Sequence, residues 1–204
     1  MTYLRRKPLA RPSKAAQFAA LFNWQVLSEI LESGHNNCWL PKFGQLPEDK
    51  SLNTGRLNLR QVMNSFCLEG RTLTVRHAEL SHRSLGPVAE DFSRNLRGPV
   101  DIQLYATPKD GEGFGWHYDL EDVFVIQTLG SKEFYLRKGQ DDDPPPHKDL
   151  PKEFVLEDYT TGPETVCKLT AGDWLYIPAG YWHKARAVDS ESFHVSVGVL
   201  NPKL

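Results

Sequence analysis

From Val100 to Leu200 the chain repeats one pattern, a short run rich in β-branched and aromatic residues followed by a turn signal. The runs are "VDIQLYAT", "DVFVIQTL", "KEFYLRK", "EFVLED", "TVCKLT", "DWLYIP", "HKARAV" and "FHVSVGVL". Short strands at this spacing predict a two-sheet jelly roll or barrel. The intervening "GQDDDPPPHKDL", residues 139–150, belongs outside the sheets, because proline has no amide to donate and three adjacent aspartates repel one another.

Ahead of Val100 the texture is helical. Between Ser13 and Gly34 the spacing predicts one broken helix or two consecutive ones. Asn23 is the expected N-cap, Trp24, Leu27, Ile30 and Leu31 share a core-facing side, and Gly34 supplies the stop. "GQLPEDKSLNTGR" is polar and turn-rich, hence a loop. Leu59, Val62, Met63 and Phe66 recur at helical spacing, and a third helix is expected over Pro87 to Leu96, stopping near Gly98-Pro99. The whole is mainly β with N-terminal helices. A basic segment, 1–12, precedes one domain, 13–204, with a helical layer over 13–98 packed on a jelly-roll core over 100–200.

Charge and cysteine usage narrow the function classes. With 24 basic and 26 acidic residues the net charge is −2, which carries no nucleic-acid footprint. No apolar run is long enough to span a bilayer, and no apolar stretch follows the basic start as a secretory signal requires. Cys38, Cys67 and Cys167 are odd in number and form no C-x-x-C pair, so they are expected to be reduced core thiols in a cytoplasmic protein.

The chemistry concentrates in two segments. In "GEGFGWHYDLEDV", His117 and Asp119 stand two residues apart, so in a strand both aim at one face. In "GDWLYIPAGYWHK", a strand and a tight turn lead to a returning strand that begins at His183. Two imidazoles and one carboxylate make the set that leaves open positions on non-haem Fe(II). Singly each residue means little; together their types, spacing and flanking glycines mark a metal site with His117, Asp119 and His183 as ligands.

Gly172 through His183 matches the second cupin motif, G(x5)PxG(xx)H, and Gly111 with His117 matches the start of the first, with Asp119 where a second histidine is usual. This H-x-D…H pattern resembles the JmjC-type oxygenases. The stretch "GPVDIQLYATPKDGEGFGWHYDLEDVFVIQTLGSKEFYL" is similar to the ribosomal oxygenases of the cupin-4 group, and the likeness runs weakly over roughly residues 68 to 200. The resemblance implies a double-stranded β-helix of the JmjC-like cupin kind, Fe(II) as cofactor and 2-oxoglutarate as co-substrate. It also implies that Lys132 anchors the distal carboxylate of 2-oxoglutarate, with Tyr105 and Ser196 adding hydroxyl contacts. The function implied is a dioxygenase that hydroxylates a side chain on a protein or peptide, giving succinate and carbon dioxide. Alternatives are the same machinery acting as a demethylase or on a free small molecule, or a metal-retaining cupin that binds without turnover. Oligomeric state stays open.

Other residues have two readings each. Trp116, Tyr181 and Trp182 flank the ligands and either wall the substrate pocket or fill the barrel. His194 reads as a hydrogen-bonded core histidine. His77 and His82 lack an accompanying pattern of zinc ligands, and His35 and His147 lie outside the motifs. Lys184 and Arg186 read as exposed strand-edge charges, or as contacts to an anionic substrate. The segment from Arg5 to Lys14, with the 139–150 loop, is expected to border an extended groove.

Overall fold

The computed structural model describes residues 3–34, 36–41, 53–140, 149–150 and 154–200. The strands are β1 (Leu9–Arg11), β2 (Asn37–Trp39), β3 (Asn53–Gly55), β4 (Leu73–Arg76), β5 (Val100–Thr107), β6 (Asp122–Gly139), β7 (Thr160–Thr170), β8 (Trp174–Ile177) and β9 (Trp182–Val199). The helices are α1 (Trp24–Glu32), α2 (Leu59–Leu68) and α3 (Gly86–Leu96). All strand pairs are antiparallel, in the order β1-β8-β6-β9-β5-β4-β2-β3, with β7 on β6.

The helices form where their signals stand. Asn23 caps α1 through its side chain, which accepts from the Val26 amide at 3.0 Å, and Leu27, Ile30 and Leu31 are buried. Asn58 and Gln61 form a reciprocal capping box at the start of α2. Leu59 lies outside the buried face of α2, and Ser65 is inside it beside Val62 and Phe66. α3 ends on Arg97 in the left-handed region (φ 59°), one residue before the expected stop. The segment expected to be a helical layer also supplies β2, β3 and β4. The basic segment supplies β1, tied to β8, and Arg5 pairs with buried Asp122 at 3.8 Å. Leu9–Arg11 of that segment thus form a strand of the sheet.

Four of the expected strands merge into two. β6 and β9, 18 residues each, pair along nearly their whole length and bend in the middle, so each serves both sheets. "EFVLED" is no strand: where described it closes into a 3-10 turn over Leu156–Asp158, in which the Asp158 and Tyr159 amides donate to the Val155 and Leu156 carbonyls. Of the loop 139–150, residues 141–148 lie outside the described residues, as do His35 and His147.

Two cores follow from this layout. One packs the helices against one face of the sheet, with Phe22, Leu27, Ile30, Leu104, Phe193 and Val195 fully buried. The other fills part of the barrel interior with Val123, Val125, Phe134, Leu136, Leu169, Leu175 and Ile177. Cys38 belongs to the first core, whereas Cys67 is exposed and Cys167 half-buried, because Cys67 falls on the outer side of α2.

Between Gln127 and Ser131 the β6–β9 register shifts twice. That bulge reverses which side alternate residues face: Val123 and Val125 point into the barrel before it, Lys132, Phe134 and Leu136 after it. Gly130 makes it with φ 66°, and a Cβ there would overlap the Glu191 carbonyl oxygen. Gly130→Ala is therefore expected to cost about 2 kcal/mol or more. The check is the urea midpoint against a control substitution at Gly162, which has the same sign of φ but no neighbour within contact range.

Candidate metal centre

His117 and Asp119 stand in the loop between β5 and β6, not in a strand; β6 begins only at Asp122. What orients them is a single antiparallel bridge to β9. His117 N donates to His183 O at 3.1 Å and His183 N to His117 O at 2.7 Å. Residues opposed in such a pair project to the same side, and the two rings lie with centroids 4.3 Å apart. The Gly180 amide donates to Asp119 O at 2.9 Å, so the carboxylate's backbone is fastened to the same turn. That turn is held by buried Asp122, whose Oδ1 accepts from the Tyr176 hydroxyl at 2.7 Å and the Ala179 amide at 3.2 Å.

The side chains are set up as ligands. His117 Nδ1 donates to Gly115 O at 2.8 Å, and His183 Nδ1 to Tyr181 O at 3.0 Å. A neutral ring that spends Nδ1–H on a carbonyl keeps its lone pair on Nε2, the arrangement expected of metal-binding histidines. His183 Nε2 lies 3.5 Å from Asp119 Oδ2, and one ligand atom from each of the three residues falls within 4.8 Å of the others. Both histidines are buried, while Asp119 is about a third exposed, at 32%. Two nitrogens and one carboxylate on one side of a point fit a divalent metal and leave its other side open.

That open side faces a cavity lined by Tyr105, Phe114, Lys132, Phe134, His194 and Ser196, with Val123, Val125 and Ile177 as apolar wall. The three residues that the resemblance assigns to the co-substrate therefore share the cavity with the ligand set. Lys132 is 2% exposed, and its ammonium donates to the Thr107 hydroxyl at 2.8 Å. Among the described residues no carboxylate pairs with it, and burial pushes its pKa down to about 7. Tyr105 sits on the wall, but its hydroxyl donates to Gln103 Oε1 at 2.9 Å. Gln103 is fixed in that orientation because its Nε2 donates to Asp101 at 2.9 Å.

Some residues fell to one of their two readings, and some were missed. Trp182 is fully buried against Tyr118, Phe154 and Tyr159, as filler away from the cavity. Lys184 lies over the rings of Trp116 and Tyr135, and Arg186 pairs with Asp110 at 3.7 Å. Thr107 escaped notice although it stands two residues after Tyr105 on the same strand face, which the period of two would have shown. The sequence reads His194 as a hydrogen-bonded core histidine; in the structure it lines the cavity, and its Nδ1 has no hydrogen-bond partner. His77 does have carboxylates near it, Glu79 and Asp101, yet Glu79 accepts the Ile102 amide at 2.9 Å and Asp101 is bonded to His77 itself at 2.9 Å. His82 pairs with Glu29.

Comparison with known proteins agrees with this architecture. A family model described as a JmjC domain matches residues 89–204. The bifunctional lysine-specific demethylase and histidyl-hydroxylase NO66 of Caenorhabditis elegans is 35% identical over 203 residues, 93% of this chain and 26% of that protein. The protein of the same name from Dictyostelium discoideum is 30% identical over 130 residues, 63% of this chain and 25% of its own length. In fold, the chain superposes on Escherichia coli ycfD with a TM-score of 0.69 at 20% identity, covering 99% of this chain and 52% of that one. Another structure of YcfD, described as a ribosomal oxygenase, is a complex with cobalt and 2-oxoglutarate and superposes with a TM-score of 0.57 at 18% identity, covering 98% of this chain and 50% of that one. The chain thus spans about a quarter of the NO66 relatives and about half of YcfD.

The buried lysine makes a prediction about stability. In the unfolded chain Lys132 titrates near 10.5, and in the native chain near 7. Between these values the unfolded state holds a proton that the native state has released, so stability rises with pH across that window, and the full cost of the buried charge is present below about pH 7. Lys132→Met is therefore expected to raise the melting temperature of the ligand-free protein by several degrees at pH 6.5, the cost removed being on the order of a few kcal/mol. The gain should shrink toward pH 10. Scanning calorimetry at both pH values checks it, and an equal gain at both would contradict the burial of a titrating lysine.

Proposed function

This chain belongs to the JmjC-domain family, and from that premise we propose that it is an Fe(II)- and 2-oxoglutarate-dependent oxygenase that hydroxylates a side chain on a protein or peptide. The observation that carries the reading is the pairing of two features in one cavity. At one end is a ligand triad with an open side; on its wall is a buried ammonium with no carboxylate partner among the described residues. A cation desolvated in this way is costly unless an anion joins it, and a short dicarboxylate that chelates the metal and reaches Lys132 is such an anion.

In this reading His117, Asp119 and His183 hold the iron, which with 2-oxoglutarate supplies the oxidising power for hydroxylating a C–H bond, with succinate and carbon dioxide as co-products. His117 and His183 keep fixed tautomers through the Gly115 and Tyr181 carbonyls. Asp119 offsets part of the metal's charge. Lys132 orients the co-substrate through a charge-assisted hydrogen bond to its distal carboxylate. Val123, Val125, Phe114, Phe134 and Ile177 keep water from the bound co-substrate.

A polypeptide substrate is supported by the exposure of Asp119 on the open side of the triad and by relatives named for histidyl hydroxylation and as ribosomal oxygenases. The thiols at Cys67 and Cys167 suit a reducing compartment, the cytoplasm in this proposal. Among the described residues no helix is long and apolar enough to cross a membrane.

Two measurements test the proposal. Titration with Mn(II) should give one site, lost or weakened by at least about tenfold in Asp119→Ala and His183→Ala. Equal metal content in the wild type and these variants would remove the triad. With Fe(II), ascorbate and a protein extract, the wild type should release succinate from 2-oxoglutarate, and some polypeptide should gain the mass of one oxygen. Lys132→Ala should weaken 2-oxoglutarate binding by roughly ten- to a hundredfold. Gain of oxygen only among small metabolites would replace the polypeptide substrate with a small molecule.

A further inference from the structure

On the opposite face of β6 from the metal centre, Phe124 and Ile126 alternate with the inward-facing Val123 and Val125 and form the floor of a second cavity. Its volume is about 390 Å³, within the range of small-molecule sites. Trp174 on β8 extends the floor, Phe92 and Leu96 of α3 make one wall, and Ala15 and Phe18 make the other. The two walls are anchored separately. Ser13 N donates to Asp173 Oδ1 and Ala15 N to Gly172 O, each at 2.8 Å, so the segment before Phe18 is fastened to the turn between β7 and β8. α3 rests on the sheet through Phe92, edge-on to Phe124 with centroids 5.1 Å apart. The slot left between them is apolar, and Phe18, which lines it, is 38% exposed.

The charge around this slot is one-sided. Lys14 lines it beside Ala15, and Arg11 stands opposite Trp174 in the β1–β8 pair, so it projects from the sheet on the same side as that ring. Both cations are exposed, and among the described residues no carboxylate pairs with either. Asp91, on the α3 side, is engaged by Arg94 at 3.1 Å. An apolar slot with two unpaired cations beside it complements an amphiphile with one anionic end, because the chain leaves water while the anion meets the cations without being buried. We propose that this slot binds a medium-chain fatty carboxylate, its alkyl chain over Phe124, Ile126 and Trp174 and its carboxylate at Lys14 and Arg11. β6 separates this site from the metal centre, so the inference does not rest on the co-substrate reading.

The test is calorimetric titration of the full chain with octanoate, decanoate and dodecanoate, each kept below its micelle concentration. Every added pair of buried methylenes should tighten binding by about tenfold. Asn95→Trp, which fills the slot from an exposed position on α3, should remove binding. The double variant Arg11→Gln, Lys14→Gln should weaken decanoate by about two- to tenfold and leave decanol unchanged. Intermolecular NOEs should run from the decanoate chain to the methyl groups of Ile126 and Leu96. His183→Ala, which breaks the candidate ligand set, should bind decanoate as the wild type does. No binding of any of the three acids, equal affinity across the series, absent NOEs, or unchanged binding in Asn95→Trp overturns the inference. So does a loss in His183→Ala, which would move the acid to the metal centre, and so does binding only to phosphatidylglycerol vesicles, which would make this face a membrane contact. Equal weakening of decanoate and decanol in the double variant overturns the placement of the carboxylate.

Discussion

The ladder between β6 and β9 is the constraint on which the rest of the molecule depends. Two 18-residue strands stay paired from Asp122–Val199 at one end to Arg137–Trp182 at the other, and they can do so only by bending together. The bend is made by Gly130 on one strand, with Asp189 at φ 62° on the other, and through it one pair of strands contributes to both sheets. Since facing alternates by two along a strand, the register shift also decides which residues reach the interior. Lys132 shares a cavity with Val123 and Val125 on β6, and His194 with His183 on β9, only because the alternation is reset between them.

The start of β9 carries the second constraint. The His117–His183 bridge stitches an otherwise irregular loop to the first residues of that strand, and the Gly180–Asp119 and Ala187–Gly111 hydrogen bonds extend the seam on both sides. The candidate ligands thus come from two segments whose relative positions are tied by backbone hydrogen bonds.

A site built this way conflicts with stability. Lys132 is buried with a hydroxyl as its partner, and His194 keeps an unpartnered ring nitrogen. Both are costs that a core made only for folding would not carry. Their presence in one cavity with the His117, Asp119 and His183 side chains is the observation on which the proposed co-substrate reading rests.

Much of this was legible in the residues. Period-two runs announced the β domain, Asn23 marked the start of its helix, and the H-x-D and P-x-G-x-x-H spacings singled out the candidate ligand set, because these signals are local and depend on neighbours within a few positions. What the sequence could not disclose is long-range. "DVFVIQTL" and "KEFYLRK" look like two strands, and only pairing with β9 makes them one. "EFVLED" has strand composition, but its backbone bonds close locally. His194 alternates like any core residue, and that it shares a cavity with His183 at the start of the same strand follows from the register shift between them. The residue types fixed which side chains could bind a metal and a dicarboxylate. The tertiary fold alone brought them to one cavity, because facing in a sheet is decided by partners far away in sequence.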